Sequence, residues 1–142
     1  MHVFRLCSED YKALDGEGAR LYGGRWNSVG LPLVYTSQHL SLCLLEQLVH
    51  LSPSLFPSNW VAIKIEIPDS IKGEEIFALP RNEVDAKTIG DDWIRSNQSL
   101  FLKVPSSIIH SEYNVLINPS HPDLKKVRVM ETSPFIIDAR LI

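Results

Sequence analysis

Three arginines fall in the first quarter of this chain, Arg5, Arg20 and Arg25, and the last directly follows a glycine pair, Gly23-Gly24. A guanidinium grips phosphate or carboxylate with two parallel hydrogen bonds, and adjacent glycines let the backbone come close to such a ligand. These arginines suit a pyrophosphate; internal salt bridging is the structural use of the same residues. Further on, Tyr35 closes a short apolar run, Glu46 sits in a leucine-rich stretch, and Ser106 follows Pro105. A cation after a flexible turn, an aromatic at a strand end and an acid on a packed helix together describe a ligand cleft. Periodicity alone also allows Glu46 to be a solvated surface acid.

Several other chemistries are excluded by the motifs they need. There is no GxxxxGK[ST] loop, no GxGxxG, no HExxH and no GxSxG. Ser106, His121 and Asp123 have no triad context, and His110 and His121 with Asp123 match no common metal spacing, so no metal is expected. His121-Pro122 reads as a stiffened turn. The formal net charge of −3 speaks against a nucleic-acid binder such as a ribonuclease, which would carry clustered basic and aromatic residues. Cys7 and Cys43 form no CxxC, and Cys43 among leucines reads as a buried free thiol. No signal peptide and no membrane span are visible, so a reducing, cytoplasmic setting is expected.

The elements that must position these groups can be read from periodicity. With 142 residues, one domain spanning residues 1–142 is expected. Val3 to Leu6 reads as a strand, and residues 7–24, with four of the seven glycines, as an ordered surface loop. Leu33 to Tyr35 reads as a strand, with Thr36 or Ser37 capping the helix that follows. In that helix Leu40, Leu44, Leu45, Leu48 and Leu51 form a stripe expected to face the core. Glu46 then lies just off the stripe, with His50 on its own face. Trp60 to Ile67 is the clearest strand, with Val61, Ile63, Ile65 and Ile67 on one face. Residues 82–98 read as helical, divided near Gly90, with Trp93 and Ile94 as anchors. Leu100 to Val104 is a strand stopped by Pro105; Val127 to Met130 and Phe135 to Ile137 read as closing strands. The interleaving predicts a mixed α/β (α+β) fold with mostly antiparallel sheet.

Taken in order, GGRWN, LVYTS, LLEQLVHL, VPSS, NVLINPSHPD and FIIDARLI resemble the RES domain family over nearly the whole chain. That family is named for an arginine, a glutamate and a serine, and supplies toxins of Xre–RES toxin–antitoxin modules. The resemblance implies an ADP-ribosyltransferase-like fold of short, twisted sheets with flanking helices, and NAD⁺ as substrate. It implies cleavage of the nicotinamide–ribose bond by water or inorganic phosphate, or else transfer of ADP-ribose to a protein. The name-giving residues fall on Arg25, Glu46 and Ser106, with Ser107 as the register alternative. Arg5 matches a second arginine of the NAD⁺ pocket and Tyr35 its aromatic. In this reading Arg25 and Arg5 hold pyrophosphate, Glu46 faces the ribose, Tyr35 packs on nicotinamide or ribose, and Ser106 bonds the ribose or the acceptor. An Xre-like antitoxin is the implied partner, and the resemblance leaves room for a homodimer inside the toxin–antitoxin complex.

Overall fold

The computed structural model describes residues 1–142 and contains one seven-stranded sheet flanked by three helices. The strands are β1 (His2–Ser8), β2 (Val34–Ser37), β3 (Trp60–Glu66), β4 (Glu74–Glu75), β5 (Phe101–Pro105), β6 (Tyr113–Ile117) and β7 (Arg128–Pro134). Their spatial order is β4-β5-β6-β2-β1-β3-β7, antiparallel throughout except for the short β4–β5 pair. The helices are α1 (Glu17–Tyr22), α2 (Leu40–His50) and α3 (Glu83–Ser96).

Period-two burial divides the sheet into two faces. One face carries Val3, Val34, Ile63, Ile65, Val115 and Ile117, closed over by Leu14, Ile71, Leu124 and Val127 from loops. The other carries Leu102, Val104 and Leu116 under the Ala86, Trp93 and Ile94 side chains of α3, and Leu6 under Cys43 of α2. Both long helices therefore cover the same face. The sheet has one weak seam. β1 runs in register with β3 along its whole length, but shares a single registered pair with β2, Phe4 with Ser37.

Helix α3 is continuous where a break near Gly90 was expected. Asn82 caps its start by accepting from Asp85 N (2.9 Å), Glu83 and Asp85 favour its positive end, and Asn97 ends it in the left-handed conformation, φ 51°. Gly90 is there for close approach: a Cβ would overlap the carbonyl of Trp26.

Helix α2 is rotated from the reading of its leucine stripe, although Leu40 and Leu44 still pack against the core around Cys43. Its fully buried residues are Leu42 and Cys43, while Leu40, Leu44, Leu45 and Leu48 are half-buried. The seam supplies the reason. Where β2 parts from β1, side chains of α2 take up β1 carbonyls: Cys43 Sγ donates to Phe4 O (3.1 Å) and Gln47 Nε2 to Leu6 O (2.9 Å). Both donors meet strand carbonyls beneath the helix, and Glu46, half-buried beside them, reaches Asn114 of β6 with its carboxylate. Thr36 and Ser37 do not cap α2 either. They end β2, where Thr36 Oγ1 donates to Val115 O (2.6 Å), and the cap position falls to His39, whose side chain makes no capping bond. The expected loop 7–24 contains a 3-10 turn at Glu9–Tyr11 and the whole of α1, and Phe135 to Ile137 follows β7 without forming a strand.

Candidate active site

Glu46 is fixed by groups that chain topology brings to it. Its Oε1 accepts from Asn114 Nδ2 (2.9 Å) and from Ser106 Oγ (3.2 Å), and its Oε2 lies 3.4 Å from His50 Nε2. Asn114 is itself oriented by Ser37 Oγ, which donates to its Oδ1 (2.6 Å) across the β2–β6 register. The carboxylate thus has one oxygen held by Asn114 and Ser106 and the other beside His50, with 21% of the side chain exposed. Ser106 is fully buried, and its hydroxyl also accepts from the amides of Ile108 (3.0 Å) and Ile109 (3.2 Å). One donor and two acceptor sites exhaust a hydroxyl. Ser106 therefore positions Glu46, and has no capacity left for a ribose or an attacking group. Ser107, the register alternative, is exposed.

The Arg25 segment lies over the same face, above Tyr35, one pleat (about 7 Å) along β2 from Ser37. The Tyr35 hydroxyl accepts from Trp26 N (3.0 Å) and donates to Asn27 Oδ1 (2.7 Å). Gly24 and Asn27 form a small antiparallel bridge, and a Cβ at Gly24 would come within 2.5 Å of the Tyr35 oxygen. Asn27, fully buried, donates to the carbonyls of Ala19 (2.8 Å) and Leu31 (3.0 Å). Burial raises the Tyr35 phenol far above its ordinary value, against the opposing bond from Trp26, so it remains a neutral donor to Asn27.

Arg5 meets Tyr35 from the main-chain side. Its Nη1 donates to Tyr35 O and its Nη2 to Tyr11 O, each at 3.2 Å, so the guanidinium lies where β1 and β2 part. The Nε groups of Arg5 and of Arg25 are both buried without a partner, and neither arginine forms an ion pair. A buried, unpaired donor is costly, and a cation left this way is suited to an anion from outside the chain. Cys43 lies within reach of the charges of both Arg5 and Glu46. Burial pushes its thiol up to about 11; Ser37 hydrogen bonding and then the Arg5 charge oppose the rise, and Glu46 adds to it, so one sulfur feels both charges.

The RES domain model matches residues 2–138. The chain belongs to the RES domain family. A "Prs ADP-ribosylating toxin" of Sphingobium sp. is 37% identical over 139 residues, covering 91% of this chain and 86% of the relative. A "Toxin Res" of Photorhabdus laumondii is 35% identical and covers 100% and 97%. Among solved structures, the M. tuberculosis MbcT–MbcA toxin–antitoxin complex contains a chain that matches with TM-score 0.76 at 15% identity, covering 94% of this chain and 83% of that one. The fold is accordingly mixed α/β of the ADP-ribosyltransferase-like kind.

In this RES domain Glu46 and Ser106 are in direct contact, and Tyr35 connects the Arg25 segment to Arg5. Asn114 and Ser37 are the additions the structure makes, and His50, expected on the Glu46 face, lies against its Oε2. Asn114 carries a usable signal, a lone amide inside the apolar run Tyr113–Ile117; Ser37 carries none. Two other expectations can be placed. His121 Nδ1 accepts from Asp123 N (3.1 Å), stiffening the turn into the 3-10 segment Pro122–Lys126. Cys7 and Cys43 are both buried and free. No helix is long and apolar enough to cross a membrane. A groove of about 160 Å³ beside Lys103, His110 and Tyr113 is lined by none of Arg5, Arg25, Tyr35, Glu46 or Ser106.

Proposed function

We propose that this chain is the toxin of a toxin–antitoxin pair and cleaves the nicotinamide–ribose bond of NAD⁺. The observation that carries the reading is a pair of buried, unpaired arginine Nε donors in a chain whose Glu46 carboxylate is fixed by Asn114 and Ser106. Arg25 and Arg5 would neutralise the pyrophosphate and set its position. The bond to nicotinamide then breaks with its electron pair leaving on the neutral base, and positive charge builds on the ribose. Glu46, held by Asn114 and Ser106, would stabilise that charge most strongly when water is kept from the carboxylate. The bond re-forms from ribose to a water oxygen, releasing one proton, or to a phosphate oxygen. Tyr35 acts through its hydroxyl on the Arg25 segment and offers only its ring to the ligand.

The likeness to an ADP-ribosylating toxin favours a second reading, a protein ADP-ribosyltransferase using the same pocket with a protein side chain as acceptor. An antitoxin that covers the cleft would restrain either activity, and an Xre-like protein is the proposed partner. The test is NAD⁺ consumption by the antitoxin-free protein, with and without inorganic phosphate, with products identified by mass. Phosphate-dependent loss giving ADP-ribose-1″-phosphate identifies a phosphorylase, and phosphate-independent loss giving ADP-ribose a glycohydrolase. No loss in either buffer rejects NAD⁺ destruction; labelling of a lysate by tagged NAD⁺ then decides for the transferase.

A further inference from the structure

We infer that Lys87, Gly90 and Asp91 of α3 are the positioning residues of the Arg25 segment, so that affinity for NAD⁺ depends on a helix that contributes no group to the ligand. This rests on the reading of Arg25 as a pyrophosphate ligand. Spaced at i, i+3 and i+4, the three residues share one face of α3. Lys87 Nζ donates to the carbonyls of Gly24 and of Asn27, the latter at 3.3 Å. Asp91 accepts from Ser28 N at Oδ1 (2.8 Å) and from Ser28 Oγ at Oδ2 (2.5 Å). Between them the Gly90 backbone lies against the carbonyl of Trp26. One helix face therefore holds the main chain of Gly24, Trp26, Asn27 and Ser28, on both sides of Arg25, and touches no atom of Arg25 by hydrogen bond.

The charges make sense only in that use. Asp91 is buried to 7% exposure, yet neither it nor Lys87 belongs to a salt bridge. A carboxylate buried away from cations is costly, and here only the two donors of Ser28 offset it. Lys87 likewise spends its charge on main-chain carbonyls. The helix behind them is fixed by Ala86, Trp93 and Ile94 in the core, so the segment is referred to a rigid body. An arginine must meet a bidentate acceptor within a few tenths of an ångström, and a segment without its own regular structure needs such an external reference.

Lys87→Met keeps the chain length and removes the donor; Lys87→Arg keeps a donor that reaches two carbonyls. Two readouts are taken on the antitoxin-free protein: NAD⁺ kinetics, and amide hydrogen exchange over residues 23–28 without ligand. Lys87→Met should raise KM on the order of tenfold with kcat nearly unchanged, because the lost interaction serves ground and transition states alike. Exchange over 23–28 should rise, and Lys87→Arg should restore both. Gly90→Ala and Asp91→Asn should move both readouts the same way. Faster exchange with an unchanged KM, or unchanged exchange, overturns the inference. If the wild type takes no NAD⁺, the proposed function has failed on its own account. The exchange readout then judges the holding role, and unchanged exchange in Lys87→Met still sinks it.

Discussion

The two halves of the site are built on opposite plans. At Glu46 the functional group itself is held: Asn114 and Ser106 both donate to one carboxylate oxygen. At Arg25 the neighbours are held, through Tyr35, Asn27 and the bridge from Gly24, while the Arg25 Nε is buried and has no partner. A carboxylate held by one oxygen is aimed before any ligand arrives; a donor left empty on a fixed base can be filled. The first plan suits transition-state stabilisation, where orientation must exist before charge develops. The second suits ground-state capture of an anion.

That contrast predicts different kinetic signatures. The largest effect should come from Glu46→Gln, which keeps shape and loses charge. A fall in kcat of about 10²–10³-fold with little change in KM is expected, read by single-turnover cleavage of NAD⁺. Turnover equal to wild type would remove Glu46 from the chemistry. Arg25→Ala should do the reverse, raising KM by about 10–100-fold with a smaller loss of kcat, the value of a charge-assisted pair. Unaltered kinetics would end the pyrophosphate assignment. Should both variants lower kcat and leave KM alone, the division into an aimed group and an empty group is wrong.

Ser106 tests the contrast from the other side, since its hydroxyl serves the fold and the acid at once. Ser106→Ala leaves the amides of Ile108 and Ile109 without their acceptor in a fully buried place. A loss of roughly 1–3 kcal/mol in unfolding free energy is expected, measured by denaturant titration, together with a moderate fall in kcat. A loss of activity with no loss of stability would return Ser106 to the ligand.

How much of this could be read from the sequence depends on whether the signal is local. β3 was legible because Val61, Ile63, Ile65 and Ile67 alternate on a buried face, and β5 because Pro105 ends it. The type of α2 was legible and its orientation was not. Leucine spacing assumes that the apolar side faces inward, whereas the open β1 edge calls for Cys43 and Gln47 there. Arg25 and Glu46 could be nominated by residue type and by resemblance. Of their supports only Asn114 carries a local signal; Ser37, Lys87 and Asp91 are joined to them only by the crossing of β2, β6 and α3 over one sheet face. Gly90 shows the same limit, reading locally as a break and serving in the structure as a contact.

The smallest expected effect concerns whether Glu46 and the second arginine, Arg5, share one electrostatic site at all. Cys43 is the reporter, its thiol pushed up to about 11 by burial. An acid whose folded value lies above its unfolded one binds its proton more tightly when folded. Its stabilising contribution is therefore full below about pH 9 and fades as the pH climbs toward 11, by about 2 to 3 kcal/mol. In a Cys7→Ser background, which leaves one thiol, the pH dependence of alkylation under native conditions reads the Cys43 value directly. Glu46 raises that value and Arg5 lowers it. Glu46→Gln should thus bring alkylation to lower pH, and Arg5→Leu should send it higher, each by a fraction of a unit. Opposite displacements place the carboxylate and the guanidinium around one sulfur, as a dinucleotide cleft requires. If only Glu46→Gln moves the curve, Arg5 belongs to the seam between β1 and β2 and holds the strands apart without sharing the ligand.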